Sequence, residues 1–587
     1  MYVLHARARA PTNRAATKKV DDDCCDCVRE AAFPPGPPKE LTVKRRGNPT
    51  GLDKSRYATI ATKLSTHADK SITDPAAVAG HVERLRKSFA ADKTLSKAWR
   101  VHQLEQLIKL LDENRKEIYD AFMKDLHKSA YEADITEIDL TKSEAIHAIE
   151  HLDDWMAPHR ESISALNQPG SGCTVADPLG VVCIMSAWNY PVLLLLSPLV
   201  GALAAGNCVM LKPASYSPNM SNVMARLVTK YLDNDCVAVC EGNRDVTDAM
   251  LKVRFDKIFF TGSGFVGKLV AKAAAEHITP CVLELGGKSP CLVDKTADLD
   301  LASSRLVWGA FMNSGQTCIR PDHVLVDESV GDAFVTLCKE KIARFYSNDV
   351  QKTEWFGRII NESAHARLAQ IIEQCKANVV HGGKVDAKDK FIEPTLINYR
   401  TDLASFHKSA AMQDELFGPV LPIAYTPAGD IERMIEHARN LPTGKPLALY
   451  FFSSNQANID AVIKRTTSGG MCINDTLMHI ANHDLPFGGV GASGMGAYHG
   501  RRSFACFSHE KAVLIKYSGI DGLPVVKDVL AVRFPPYSAT SKALVGVLSH
   551  PALDWVNGQV ERPAVQRVLL LLVAWLVGRR FVQVSFL

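Results

Sequence analysis

The stretch "KIFFTGSGFVGKLVAKAAAEHITPCVLELGG", Lys257 to Gly287, decides the fold. It opens on a short apolar run, turns at glycine, continues through a helix-forming segment and ends on a second apolar run. Continuous rather than alternating apolar residues indicate strands covered on both faces. The same kind of run occurs upstream at "GVVCIMSAW" (180–188), "CVMLKP" (208–213) and "CVAVCEG" (236–242), with helical stretches such as "NMSNVMARLVTKYL" between them. Strands that alternate with helices pair in parallel through right-handed crossovers. The expected class is therefore α/β, with a doubly wound, Rossmann-like domain that takes its ligand at the carboxyl ends of the strands.

The turn carries a second signal. Gly262, Gly264 and Gly267 spell G-x-G-x-x-G after a strand and at the start of a helix. A helix N-terminus offers free N–H groups and the positive end of a dipole to a phosphate. That fingerprint also calls for an acid about twenty residues on. Glu284 stands there, and pattern alone assigns it to a ribose hydroxyl.

Outward from this stretch, Val82, Leu85 and Phe89, then Leu104, Leu107, Ile108 and Leu111, recur at helical spacing and predict helices over 77–150. After Gly287 a second alternation begins: "PCLVD" (290–294), a helix near 299–313, "HVLVDES", a helix at 330–346, then "LALYFFSS" and "GGMCIND". This is a second α/β unit. The glycine-dense "PFGGVGASGMGAYHG" (486–500) closes it, either as a structural loop around a catalytic cleft or as a linker.

At 64.2 kDa the chain is too long for a single core. A net charge of +4 argues against a nucleic-acid partner. The fifteen cysteines include no paired CxxC motifs and no clustered histidines, so no metal site is expected and a reducing compartment is the simpler reading. One cysteine differs from the rest. "MNSGQTC", Met312 to Cys318, approaches its sulfur through small, polar, flexible residues. A structural cysteine behaves as a small hydrophobe and needs no such approach; a reactive one does.

Both ends depart from the middle. Residues 1–77 read as a poorly ordered extension: Arg7, Arg9, Arg14, Lys18 and Lys19 without an acid, then "DDDCCDC", then four prolines. A transit peptide is the other reading of its first twenty residues. In the tail, 516–587, Val568 to Val577 are uncharged and apolar between Arg567 and the pair Arg579–Arg580. Such a run rises about 15 Å as a helix, roughly half a hydrocarbon core. Its flanks extend it to 564–582 if the arginines snorkel. Membrane attachment and a buried terminal helix are the two readings.

Six co-ordered motifs now carry a resemblance. "SAWNYP" (186–191), "LKP" (211–213), "ELGGKSP" (284–290), "NSGQTC" (313–318), "ELFGP" (415–419) and "LPFGGVG" (485–491) resemble the aldehyde dehydrogenase superfamily over about 78–515. "GKSPCLVDK", "FMNSGQTC" and "LPFGGVGASGMGAYHG" resemble its class 3 branch, which includes the fatty aldehyde dehydrogenases. The resemblance implies an NAD- or NADP-dependent oxidation of aldehydes to carboxylic acids. It implies Cys318 as nucleophile, Asn189 as oxyanion donor with the Cys318 backbone N–H, and Glu284 as the base that activates water, which displaces the ribose assignment. For the cofactor it implies Lys212 at the adenosine ribose, Gly262, Ser263 and Gly267 at the pyrophosphate turn, Glu415 at the nicotinamide ribose with Phe417 beside it, and Trp188 and Ser215 nearby. Tyr190 and Met312 would line the aldehyde pocket. No metal is implied.

The implied organisation is 78–155 with 178–283 as the NAD(P)-binding domain, 284–490 as the catalytic domain, and 156–177 with 491–515 as a small β oligomerisation element of a homodimer. The hydrophobic tail suggests medium- or long-chain fatty aldehydes and a membrane location at the endoplasmic reticulum facing the cytosol. The alternatives are a cytoplasmic or organellar enzyme for short or aromatic aldehydes, and a non-catalytic membrane-associated homologue.

Three positions depart from the family pattern. Ser215 in "KPAS" replaces a glutamate, which removes repulsion against a 2'-phosphate beside Lys212. "GSGFVG" moves a glycine by one position. Arg320, two residues past the nucleophile, stands where a small residue is usual; it either acts on the thiolate, recruits an acidic substrate end, or points to solvent.

Overall fold

A six-stranded sheet takes up the first set of apolar runs. Its spatial order is Gly494–Met495, Cys281–Glu284, Lys257–Thr261, Val181–Met185, Cys208–Lys212, Val237–Val239. All neighbours pair in parallel except Gly494–Met495, which runs antiparallel to Cys281–Glu284. The first strand in sequence lies mid-sheet, so the winding direction reverses between Val181–Met185 and Lys257–Thr261. A reversal of this kind opens a crevice at the strands' carboxyl ends. These strands are buried along nearly their whole length, as their unbroken apolar patterns require.

A computed structural model supplies this architecture and describes residues 73–167, 170–516 and 533–549. The segment 564–582 and the extension before Thr73 lie outside the described residues. Among the described residues, no helix is long and apolar enough to cross a membrane.

The second α/β unit forms a seven-stranded sheet in the order Val379–His381, Thr395–Asn398, Val420–Thr426, His323–Asp327, Pro290–Val293, Ala448–Phe452, Gly470–Ile473. It is parallel except at the Val379–His381 edge. The expected α/β class, Rossmann-like plus a second α/β unit, is what the strands build. A third sheet is small and antiparallel: His159–Glu161, Gly170–Pro178 and Ser508–Lys516.

Two helices matter most for the site. Leu193–Ala204 follows "SAWNYP" and is buried on every side. It anchors the loop before it, since each fully buried leucine contributes about 1.5–3 kcal/mol. Leu299–Phe311 delivers the chain into "MNSGQTC", starting from an Asp298 cap whose side chain accepts from Leu301 N–H.

The glycine-dense loop is a structural part of the cleft. Gly494 adopts φ +139°, and a Cβ there would lie 1.9 Å from the Leu283 carbonyl oxygen. Only glycine permits the loop to pair against the strand that ends in Glu284.

Candidate active site

The turn that carries Cys318 is strained and tightly held. Asn313 and Ser314 both sit in the left-handed region at φ 53°. Such a conformation persists only where the surroundings over-determine it. Here Asn313 N–H donates to Glu132 Oε1 at 2.9 Å, and its side-chain amide donates to the Asn189 carbonyl at 2.8 Å. Gln316 Nε2 donates to the Arg358 carbonyl at 2.9 Å, and its Oε1 accepts from Ile360 N–H at 2.9 Å. Asn189 is buried, and its Nδ2 donates to the Gln316 carbonyl at 3.0 Å. The "SAWNYP" loop and the "MNSGQTC" turn are thereby stitched together.

Beneath Asn189 lies a buried ion pair. Lys128 Nζ and Glu137 Oε1 are 2.5 Å apart, and neither side chain is exposed. Glu137 Oε2 also accepts from Val192 and Leu193 N–H at 2.9 and 3.2 Å, filling orphan donors at the start of the buried helix. Lys128 Nζ stands 4.3 Å over the Tyr190 ring. Tyr190 Oη is 2.6 Å from Thr317 Oγ1.

Cys318 and Glu284 line one cavity of about 220 Å³. Met312, Tyr190 and Thr317 join them there, and most of the remaining wall is apolar, including Trp308, Leu477, Ile480, Phe487 and Tyr498. Glu284 is buried, and neither carboxylate oxygen has a hydrogen-bond partner. Loss of solvent raises its pKa well above the usual carboxylate range. Cys318 is half-buried. Burial, then the Glu415 and Glu284 carboxylates, push its thiol up to about 12, against a downward pull from its own and the Ile319 N–H groups.

The cofactor candidates gather at the carboxyl ends of the first sheet. Lys212 ends its strand, is buried, and donates to the Gly242 carbonyl at 3.0 Å; burial lowers its pKa. Ser215 lies three residues beyond it, half-buried. Gly262 N–H donates to the Glu284 carbonyl at 3.0 Å. Ser263 caps the helix Gly264–Ala275, accepting from Val266 N–H at 3.4 Å. Gly267 admits Leu285, which a Cβ would meet at 2.8 Å, whereas Gly264 faces open space. The middle glycine of the G-x-G-x-x-G spelling therefore has no packing role.

Glu415 lies against Gly286, with its Oε1 buried and unpartnered, and is pushed up to about 8 by burial and by Asp322. Phe417 packs edge-on to Trp188 at 5.5 Å. A buried lysine at a strand end, a capped helix beside it and a carboxylate with one buried oxygen unpartnered suit a dinucleotide: phosphates at the helix start, hydroxyls at the lysine and the acid. Among the described residues, no group of three or more His, Cys, Asp or Glu side chains forms a metal-holding cluster.

Of the three readings that its sequence position suggested for Arg320, the structure overturns one. Arg320 is 1 % exposed, so it does not face solvent. Its Nη2 donates to the Val420 carbonyl at 2.9 Å, and its Nη1 lies 3.7 Å from Asp322 Oδ1. The site also contains residues outside every motif, Lys128, Glu132, Glu137, Leu477 and Ile480, and others inside motifs that the sequence did not single out, Thr317, Phe487 and Tyr498.

The profile of the aldehyde dehydrogenase family matches residues 62–513. This chain belongs to that family. Among relatives of the dehydrogenase, human aldehyde dehydrogenase family 3 member B1 is 41% identical over 457 residues, 78% of this chain and 94% of the relative. The dimeric NADP-preferring aldehyde dehydrogenase of Canis lupus familiaris is 41% identical over 456 residues, 78% of this chain and 97% of that one. Of solved structures, the substrate-bound AldH of Staphylococcus aureus superposes with a TM-score of 0.76 at 37% identity, over 80% of this dehydrogenase and 99% of that chain.

Proposed function

We propose that this aldehyde dehydrogenase oxidises medium- to long-chain aliphatic aldehydes through a covalent intermediate on Cys318. The observation that carries the reading is the shared cavity: a thiol and a solvent-starved carboxylate lie in one apolar space of about 220 Å³.

The Cys318 thiolate adds to the aldehyde carbon and forms a thiohemiacetal. The developing alkoxide takes hydrogen bonds from Asn189 Nδ2 and the Cys318 N–H. Lys212, Gly262, Ser263, Gly267 and Glu415 would hold an oxidised dinucleotide, which would supply the hydride acceptor and a positive charge to offset the two carboxylates that oppose the thiolate. The thioester left on Cys318 is hydrolysed by water that Glu284 deprotonates. A carboxylate with a raised pKa is well matched to that proton transfer. Trp188 and Phe417 orient the cofactor side; Tyr190 and Met312 shape the aldehyde side.

With Ser215 rather than an acid after Lys212, NADP is accepted as well as NAD; the canine relative's name as NADP-preferring supports this. That name also supports a homodimer, for which the three-stranded sheet with Ser508–Lys516 is the proposed contact. Much of the cavity wall, including Leu193, Leu194, Trp308, Leu477 and Ile480, is apolar and suits an alkyl chain. Membrane attachment through 564–582 belongs to the same reading, and vesicle flotation of the full chain against a chain ending at 563 checks it.

The deciding experiment measures NADH and NADPH formation with straight-chain aldehydes from acetaldehyde to hexadecanal, on wild type and Cys318→Ala. The reading expects kcat/KM to rise with chain length and to vanish in the variant. Activity confined to short or aromatic aldehydes overturns the substrate assignment; activity that survives Cys318→Ala overturns the mechanism.

A further inference from the structure

We propose that Arg320 is a positioning residue for the cofactor side of the site, tying the loop of Glu415 and Phe417 to the turn of Cys318. The inference rests on the reading of Glu415 as a cofactor ligand.

Arg320 N–H donates to the Thr317 carbonyl at 3.1 Å and closes the turn behind the nucleophile. From there its side chain reaches across to the other loop. It bonds the Val420 carbonyl and approaches Asp322 Oδ1, and that same oxygen accepts from Leu416 N–H at 2.9 Å. Lys288 Nζ pairs with Asp322 Oδ2 and donates to the Ala411 and Asp414 carbonyls at 2.8 and 3.1 Å. Arg367 bonds the Leu416 carbonyl as well. The loop is thus gripped by its main chain, while the Glu415 carboxylate and the Phe417 ring stay available to a ligand.

The charges make the arrangement more than a clamp. Lys288 and Arg320 are both fully buried against one neighbouring carboxylate, Asp322. Nε and Nη1 of Arg320 have no hydrogen-bond partner. A buried guanidinium with free N–H groups is costly unless a second anion lies in reach. Glu415 stands on the loop that these two cations hold, next to Leu416, whose N–H bonds Asp322. Through the Val420 carbonyl and Asp322, Arg320 therefore fixes the main chain of the Glu415 loop and sets where the carboxylate meets a ribose.

The test uses the full chain as Arg320→Met, which fills the space without charge, and Arg320→Lys, which keeps the charge. Glu415→Gln serves as reference. Loss of a charge-assisted contact is expected to raise the cofactor KM of Arg320→Met about tenfold, with the aldehyde KM held within about twofold. Arg320→Lys recovers part of the loss, and the double variant with Glu415→Gln is no worse than the larger single change. Should the methionine variant not fold, Arg320→Gln, uncharged but with an N–H for Val420, stands in its place. An unchanged cofactor KM in the uncharged variant beside a raised one in Glu415→Gln overturns the role of Arg320. An unchanged cofactor KM in Glu415→Gln overturns the reading of Glu415 itself.

Discussion

Glu415 and Gly286 compete for one space: a Cβ on Gly286 would lie 2.2 Å from Glu415 Oε2. Gly286 is not among the glycines with positive φ, so its backbone accepts alanine, and what must move is the far end of a flexible side chain. Gly286→Ala is expected to leave the melting temperature nearly unchanged while raising the cofactor KM about tenfold, as the loss of one charge-assisted hydrogen bond does. Steady-state kinetics beside a thermal melt decide it; a variant that melts early with wild-type KM would contradict the geometry.

Glu284→Gln separates the two halves of the reaction. Its carboxylate touches no protein donor, so the amide fits the same pocket, but it takes no proton from water. Rapid mixing should show one reduced cofactor per active site, followed by turnover slowed about 10²–10⁴-fold, the range for a lost general base. A full loss of the burst would move Glu284 to the first half-reaction.

Asn189→Ala is expected to lower kcat by about 10²–10³, as removal of an oxyanion donor does. Because Asn189 Nδ2 also holds the Gln316 carbonyl, some thermal stability goes with it. Asn189→Asp, which fills the space but places an anion at the alkoxide, should be at least as slow; a fast aspartate variant would remove the oxyanion role.

Stability should depend on pH through Glu415. Its folded pKa of about 8 lies above the ordinary value of 4.5. Between these values the folded state binds more protons than the unfolded state. The contribution is therefore complete below about 4.5 and is lost as pH rises through about 8. Wild type should lose more melting temperature between pH 6 and pH 9 than Glu415→Gln does, in the absence of cofactor. Parallel curves would place the carboxylate in water.

Lys128→Met leaves Glu137 buried and unpaired while it still caps the Leu193–Ala204 helix. Breaking one side of such a pair costs about 3–5 kcal/mol. Denaturant titration at pH 7 checks it. The loss should shrink at acidic pH, where Glu137 takes a proton, since burial already raises its pKa.

The strands were legible because burial on both faces leaves an unbroken apolar run, as at Val181–Met185 and Lys257–Thr261. The residues that stitch the site were not. Glu132 reaches Asn313 over 181 positions and Lys128 reaches Asn189 over 61; in sequence both look like charges on a solvated helix. Arg320 looked like a neighbour of the thiol because it is close in sequence, yet its side-chain hydrogen bond goes to Val420, 100 residues away. Glu284 followed a nucleotide-binding pattern to a ribose; its carboxylate instead shares the cavity of Cys318. Local pattern reads what local burial dictates, and long-range charge pairing leaves no period.

The cavity wall also bears on direction. None of its lining residues is a lysine or an arginine, and two acidic side chains act on Cys318. An aldehyde enters this space uncharged, but the acid made from it ionises. The newly formed anion then sits in a largely apolar space whose wall holds no cation to detain it. Product inhibition should therefore be weak.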